Sequence, residues 1–431
     1  VEAEKQRMYL CIDGKSFYAS VECAERGLNP FETNLVVADP DRGKNALCLA
    51  ISPKMKALGV HNRCRLSDIP GNIKYEIAIP RMSLYVDYCA DIYALYLNYF
   101  AAEDIHVYSI DEAFIDVTEY LKMYNMDAKQ LAKKLMNEIA DTLHVPTTAG
   151  IGTNLYLAKI ALDISAKKTR DHMGYLDEET FRKTLWDHQP LTDFWGIAHG
   201  KANRLSHYGI FTMRGIATAP QELLYKVFGV DAELMIDHAW GRETCLMQDI
   251  KNYKSRSHSV SFSQILPRDY DYDEAAVVMA EMAIHGCLEL YKRHVITKKV
   301  WIGVGYSRYE QYPPAQGSIK LNCPTQLASI IEPAVKEKFR EIVAWGVPIR
   351  NLAIAFCDTR DEGCEGYDLF TDWEKIDKEK AVERTVLEVR DKFGKNAVLR
   401  AINLNKAGTQ RERNTFIGGH RAGYDDERTA R

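Results

Sequence analysis

Three carboxylates stand out for the way the chain presents them. In Ile105-His106-Val107-Tyr108-Ser109-Ile110-Asp111-Glu112-Ala113-Phe114-Ile115-Asp116-Val117, β-branched and aromatic runs flank the pair Asp111-Glu112. Carboxylates are poor residues for a strand interior, so this stretch is predicted to be a hairpin with acid at its tip. Taken alone, Asp-Glu is more readily explained as a solvated turn. The third acid is Asp13. Met8-Tyr9-Leu10-Cys11-Ile12 reads as a short buried strand that ends on it, followed by Gly14-Lys15 and a helical pattern over 16–26. An acid there can hold a cation while the free amides of Ser16, Phe17 and Tyr18 face an anion; a helix-capping Asp is the alternative. If the two strands are neighbours, three carboxylates converge and repel unless divalent cations neutralise them, and hard cations such as Mg2+ take oxygen ligands. The reaction that needs such a site is in-line phosphoryl transfer.

The surrounding elements must bring these acids together. Residues 30–79 read as a compact insertion: a strand over 35–38, a polar turn, a strand over 46–51, and a small helix capped by Ser52, with Pro53 at its first position and Gly59 at its end. Lys54 and Lys56 there are either solvated charges or reach a phosphate. Residues 82–101 and 127–143 have helical spacing, 147–152 is a strand, and 154–168 a helix carrying Lys159. An α/β sheet with helices on one side accommodates this order. Further on, Phe194-Trp195-Gly196-Ile197-Ala198-His199-Gly200-Lys201-Ala202 is a Gly-rich bend entering a helix, which offers bare amides to a phosphate or is plain turn chemistry. After a short basic linker, strands at 260–265, 298–306, 317–321 and 352–356 alternate with helices at 273–293 and 325–343. That β-α-β-β-α-β order is the split motif of a ferredoxin-like domain. Beyond Asp358 the chain turns polar. Tyr367-Asp368-Leu369-Phe370 stands out as an apolar plug, 373–393 reads as a charged helix, and 405–431 as a mobile tail with Arg411, Arg413 and Arg421.

A chain of 431 residues exceeds one ordinary core and predicts several domains. With 46% hydrophobic and 27% charged residues it is a soluble globular composition, and a net charge of -4 means any nucleic-acid site must be local. Apolar runs fall short of a bilayer span and no signal segment opens the chain, so neither export nor membrane insertion is expected; Val1 suggests a trimmed N-terminus. The ten cysteines form no C-x-x-C pair and mostly sit in apolar runs, as buried thiols of a reducing cytoplasm would, and a zinc site is not expected.

Asp13-Gly14-Lys15-Ser16-Phe17-Tyr18-Ala19-Ser20-Val21-Glu22 together with Tyr108-Ser109-Ile110-Asp111-Glu112-Ala113-Phe114 resembles the paired palm motifs of the Y-family, translesion DNA polymerases. Lys56-Ala57-Leu58-Gly59-Val60 and Phe416-Ile417-Gly418-Gly419-His420 are most similar to its UmuC-like bacterial branch, with mobile-element and phage relatives. The resemblance covers nearly the whole chain. It implies an α+β multidomain right hand: palm at 1–24 and 78–176, small fingers at 25–77, a helix-hairpin-helix thumb at 177–252, a linker at 253–258, a ferredoxin-like little finger at 259–357, and a C-terminal tail at 358–431. It implies a template-dependent DNA-directed DNA polymerase that passes damaged bases by two-metal nucleotidyl transfer. Such an enzyme is error-prone, and with no second acid cluster it lacks proofreading.

Carried over residue by residue, the resemblance makes Asp13, Asp111 and Glu112 ligands of two Mg2+ ions, replaceable by Mn2+, with the Gly14 carbonyl as a further ligand. Lys15, Ser16, Phe17 and Tyr18 would line the nucleotide. Tyr18 would be the steric gate, its ring filling the space that a ribose 2′-hydroxyl needs. Lys56 and Lys159 would contact the triphosphate, while Pro53 stands where several relatives carry an aromatic phosphate contact. Gly196, Ala198, Gly200, Lys201, Arg256, Lys298, Lys299 and Arg308 would meet DNA phosphates, though each is also an ordinary surface residue. Tyr367, Leu369 and Phe370 would dock on a sliding clamp, with Gly366 where the motif usually has Gln; local packing is the alternative. The implied partners are primer-template DNA, deoxynucleoside triphosphates, the clamp, and a UmuD-like subunit or recombinase filament, in a bacterial cytoplasm and on the nucleoid when DNA-bound. Two other classes compete. A nucleotidyl cyclase shares a palm-like sheet but has no use for the bend at 196–201 or a duplex-gripping domain. A catalytically silent DNA-binding scaffold has no reason to keep all three acids.

Overall fold

The computed structural model describes residues 7–255, 258–363 and 372–423. The chain divides into two compact units, Val1–Pro80 with Leu84–Tyr253, and Arg81–Ser83 with Lys254–Arg431.

The first unit begins with β1 (Tyr9–Gly14), buried along most of its length, and α1 (Phe17–Glu25). A small three-stranded sheet follows, made of β2 (Leu35–Val37), β3 (Ala50–Ile51) and β4 (Glu76–Ala78), with the short helix α2 (Pro53–Ala57) after β3. The Ser52 hydroxyl caps α2 by accepting from the Met55 amide at 3.3 Å. The strand expected over 46–51 survives only as Ala50–Ile51, because its first half pairs elsewhere. Cys48 N donates to Cys64 O at 2.8 Å and Leu66 N to Ala46 O at 3.0 Å. β4, which runs parallel to β2, was not anticipated from the sequence.

Next come α3 (Met82–Leu97), the hairpin of β5 (Ile105–Val107) and β6 (Glu112–Asp116), α4 (Tyr120–Tyr124), α5 (Ala128–Leu143), β7 (Thr147–Gly152), α6 (Leu155–Ile160) and β8 (Met173–Leu176). These strands form one sheet in the order β5-β6-β1-β7-β8, with β1 at its centre. The expected helix over 154–168 is continuous but not uniform: α6 passes into a π-helical turn, Ala161–Ser165, and then a 3-10 turn, Ala166–Lys168. Its close seat on the sheet depends on Gly150 and Gly152, alternate residues of β7. A Cβ on either would lie 2.1 Å from the backbone of Ala158. The unit closes with helices α7 (Glu178–Thr184), α8 (His199–Ser206), α9 (Met213–Thr218), α10 (Gln221–Phe228), α11 (Asp231–Trp240) and α12 (Met247–Asn252). Phe181, Phe194, Met213 and Leu224 are buried in the core that most of these helices share with α6.

The second unit contains β9 (Val260–Tyr270), α13 (Tyr272–Lys292), β10 (Val295–Tyr306), β11 (Ala315–Thr325), α14 (Ala328–Ile342) and β12 (Ile349–Cys357), the β-α-β-β-α-β element order. The sheet order is β11-β10-β12-β9, antiparallel throughout. Val300, Ile302, Val304, Leu352, Ile354 and Phe356 are buried in the core with residues of both helices. The alternate positions, Lys299, Trp301, Gly303, Ala353 and Ala355, therefore lie on the other face. β13 (Arg360–Asp361) pairs antiparallel with the start of β10, and α15 (Trp373–Phe393) has the bounds expected from sequence.

The expectation of a mobile tail from residue 405 is corrected for 405–423. That segment forms α16 (Gln410–Arg413) and a small hairpin of β14 (Phe416–Ile417) and β15 (His420–Arg421). It is held by Glu281 of α13, which is buried and accepts hydrogen bonds from Asn403 Nδ2 (2.8 Å), Thr409 N (2.7 Å) and Gln410 N (3.2 Å). A buried carboxylate is tolerated only when so satisfied. Among the described residues no helix is long and apolar enough to cross a membrane, and the cysteines are free.

Glu281→Ala should strand the buried main-chain amides of Thr409 and Gln410 and the Asn403 side-chain amide, and cost about 2–3 kcal/mol. Limited proteolysis should then cut first within 401–423; a tail as resistant as in the parent chain would contradict this anchoring.

Candidate active site

Pairing of β1 with β6 sets Asp13 directly opposite Glu112, and Gly14 N donates to the Asp111 carbonyl at 2.8 Å. The three acids therefore share one end of two neighbouring strands. Glu112 is buried. Its Oε2 accepts from Lys159 Nζ at 2.7 Å and its Oε1 from Cys11 Sγ at 3.1 Å. Lys159 Nζ also reaches Asp163 Oδ1 at 3.2 Å, and Asp111 Oδ1 accepts from Ser109 Oγ at 2.6 Å. Burial, then the charges of Asp111 and Glu112, push the Asp13 carboxyl up to about 8, against the pull of Lys159. Burial alone would lower the Lys159 ammonium, but Asp163 and Glu112 outweigh it and the net shift is upward.

The donor chemistry of this edge fits a divalent cation: clustered hard oxygens, with the Asp13 carboxyl raised by burial and by its acidic neighbours. Asp111 and Glu112 are turned to protein partners, and no group of three acidic, His or Cys side chains among the described residues is drawn up as a finished metal cage. Asp13, Asp111, Glu112 and the Gly14 carbonyl are the groups that would hold one.

Beside the acids lies a set of cations. Lys15 Nζ is 3.3 Å from His172 Nε2 and 5.3 Å from the centre of the Phe31 ring. Burial and then Lys56 lower the Lys15 ammonium. Lys56 is lowered by burial, with Asp13 opposing that shift and Lys167 adding to it, and His172 is lowered by burial and Lys15. None of the three lysines has a carboxylate partner among the described residues, so the group is poised for an anion. Lys167, at the end of the helical run, was missed by sequence reasoning; its signal was the Lys167-Lys168 pair where the run stops. Lys159, read from sequence as a triphosphate contact, pairs at the acidic edge with Glu112 and Asp163.

Ser16 adopts the left-handed region (φ 53°) ahead of α1, and its buried hydroxyl has no hydrogen-bond partner among the described residues. Phe17 is buried beneath Gly14, where a Cβ would come within 2.7 Å of its ring, so Phe17 backs the site from below. Tyr18 is half-buried, its ring stacked on Tyr85 at a centroid distance of 4.5 Å.

The positions read as DNA contacts are dispersed. Gly196 has φ +86°, Ala198 immediately precedes α8, and Gly200 and Lys201 lie in its first turn, with Lys201 Nζ 3.8 Å from Asp231. α8 and α9, joined through Gly209 (φ 72°), form a helix-hairpin-helix. Lys299 is exposed on the open face of the second unit's sheet, Lys298 is half-buried at a register shift, and Arg308 is exposed beside the Tyr309 ring. Arg256, Tyr367, Leu369 and Phe370 lie outside the described residues.

The sequence model of the impB/mucB/samB family matches residues 12–163, and that of the family's C-terminal domain matches 254–369. A protein of Bacillus subtilis (strain 168) named for UV-damage repair, UvrX, is 30% identical over 424 residues, covering 96% of this chain and 97% of that protein. DNA polymerase IV 2 of the same organism is 29% identical over 425 residues, covering 96% and 99%. Among solved structures, a chimaera of the Y-family DNA polymerases Dbh and Dpo4 superposes on 82% of this chain and 100% of its own, with a TM-score of 0.63 at 20% identity. On full-length similarity of sequence, and with the same fold, the chain belongs to the impB/mucB/samB family of Y-family DNA polymerases.

Proposed function

We propose that this polymerase performs translesion synthesis, joining a deoxynucleotide to a primer 3′ end opposite damaged template bases. The carrying observation is the apposition of Asp13, Asp111 and Glu112 to Lys15, Lys56 and Lys167, two charge sets of opposite sign that a nucleoside triphosphate with its cations satisfies together. Two Mg2+ ions, or Mn2+ in their place, would supply activation of the primer hydroxyl and charge neutralisation on the triphosphate. The residues of the chain do the rest. Lys56, Lys167 and Lys15 grip the triphosphate, and Lys159 holds Glu112 in place across β1. Tyr18 bars the 2′-hydroxyl by occupying its space.

The helix-hairpin-helix and the open face around Lys299 hold the primer-template through phosphates, a contact that positions the duplex without reading its sequence. Small residues on that face, Ala353 and Ala355, let a backbone approach closely, while the Trp301 ring lies over Gly303. Weak discrimination of the nascent pair, which the small first-unit insertion supports, and lack of proofreading are part of the same reading. Docking of 367–370 on a sliding clamp, recruitment of a UmuD-like subunit or recombinase filament, and a place in the bacterial cytoplasm and nucleoid belong to this same reading.

Asp111→Asn or Glu112→Gln should lower primer extension by roughly a thousandfold or more while primer-template affinity holds; near-normal extension would remove the carboxylates from the chemistry. The two lysine roles separate kinetically. Lys167→Ala and Lys56→Ala should raise KM for the nucleotide about tenfold, whereas Lys159→Ala should act mainly on kcat. The reverse split would return Lys159 to the triphosphate. Affinity for primer-template should fall steeply with salt, and Lys299→Ala should reduce the slope of log K against log salt by about one. An unchanged slope would take Lys299 off the DNA.

A further inference from the structure

Behind Tyr18 lies a buried polar relay that the reaction itself does not use. Tyr85, in the first turn of α3, is fully buried, and its ring stacks on that of Tyr18 with an interplanar angle of 21°. Stacking alone leaves a ring free to slide, because dispersion between two flat faces varies little with lateral offset. The Tyr85 hydroxyl removes that freedom by donating to Glu22 Oε1 at 2.8 Å. Glu22 is itself fully buried on α1, one turn beyond Tyr18, so the relay closes on the helix that carries the gate. Its second carboxylate oxygen is held by Arg26, whose Nη1 also donates to the Glu22 carbonyl at 2.7 Å. One turn further along both helices, Tyr88 donates to Glu25 Oε1 at 2.8 Å and repeats the tie at the surface.

A fully buried carboxylate is costly, and an apolar residue at position 22 would pack α1 on α3 without it. What an apolar residue cannot do is fix where the Tyr85 ring lies. We propose that Glu22 is a positioning residue for sugar selection: by holding the Tyr85 hydroxyl it sets the platform on which Tyr18 rests, and so how far the Tyr18 ring projects toward the sugar. This rests on the reading of Tyr18 as the gate. Exclusion by repulsion is steep at contact distance, so a small lateral freedom of the ring is enough to admit a hydroxyl. Tyr18 touches the sugar; Glu22 and Tyr85 act through it.

The test is single-nucleotide incorporation by the full chain, comparing kcat/KM for a deoxynucleotide and the matching ribonucleotide. Tyr85→Phe keeps the ring and removes only the hydroxyl, and Glu22→Gln removes the charge. Each should lower the deoxy-to-ribo ratio about tenfold, chiefly by raising kcat/KM for the ribonucleotide. The double variant should do no more than the larger single one, as expected of two groups in one interaction. If Tyr85→Phe or Glu22→Gln lowers thermal stability or slows both nucleotides equally while the ratio holds, Glu22 is structural and the inference fails. Should Glu22→Gln not fold, Tyr85→Phe decides alone. Tyr18→Ala is the control. An unchanged ratio there sinks the gate and this inference together, whereas a relaxed ratio there with an unchanged Tyr85→Phe sinks the role of Glu22 and leaves the gate standing.

Discussion

Negative charge gathered at one end of two neighbouring strands is the constraint around which the first unit is arranged. The register of β1 on β6 sets Asp13 against Glu112, and the hairpin tip adds Asp111. Burial, and then the charges of Asp111 and Glu112, push the Asp13 carboxyl up to about 8. The chain provides one permanent cation at this edge, Lys159, and divides it between Glu112 and Asp163. Alongside, Lys15, Lys56 and Lys167 have no carboxylate ion-pair partner among the described residues, and Lys56 feels the charges of both Asp13 and Lys167. Neither set is relieved by the protein alone. In the proposed function, a polyanionic substrate accompanied by divalent cations would relieve both at once.

The scaffold explains how two lysines of one helical run come to serve opposite ends of that arrangement. Gly150 and Gly152 let α6 lie against β7 at a distance no side chain permits, which brings Lys159 within reach of Glu112. The run then widens into the π-helical turn at Ala161–Ser165, which shifts the phase of everything beyond it. Lys167 therefore leaves the acidic edge and joins the cationic set. The same logic of remote support recurs at Tyr18, whose ring is backed by Tyr85, and in the second unit, where one buried carboxylate, Glu281, holds a whole C-terminal segment.

Much of this was legible in the sequence where a local rule applied. Alternating β-branched residues broken by Asp111-Glu112 marked the acidic hairpin, and Ser52-Pro53 marked the start of α2. The β-α-β-β-α-β periodicity marked the second unit's core, and α15 was placed to the residue. What escaped depended on contacts distant in sequence. β4 and β8 are three or four residues long and exist because β2 and β7 offer them an edge. Residues 46–48 had strand character but pair with 64–66, which no periodicity reveals. Lys167 went unread, since the π-turn that separates its direction from that of Lys159 has no residue signature. The tail after 405 looked mobile because it is polar and Gly-rich. Its anchor, Glu281, was visible as a carboxylate within the apolar run 275–288, but not the segment it would hold.

Calorimetric titration of Mg2+ or Mn2+ into the nucleotide-free chain across pH tests most directly whether burial, and then the charges of Asp111 and Glu112, raise the Asp13 carboxyl at an edge that a divalent cation relieves. Because a cation must displace the Asp13 proton below its raised pKa, apparent affinity should climb as pH rises toward about 8 and level off above it, with about one proton released per ion at the lower end. Asp13→Asn should abolish that pH dependence. Binding that is flat across the same range in the parent chain, or that releases no proton, would contradict it.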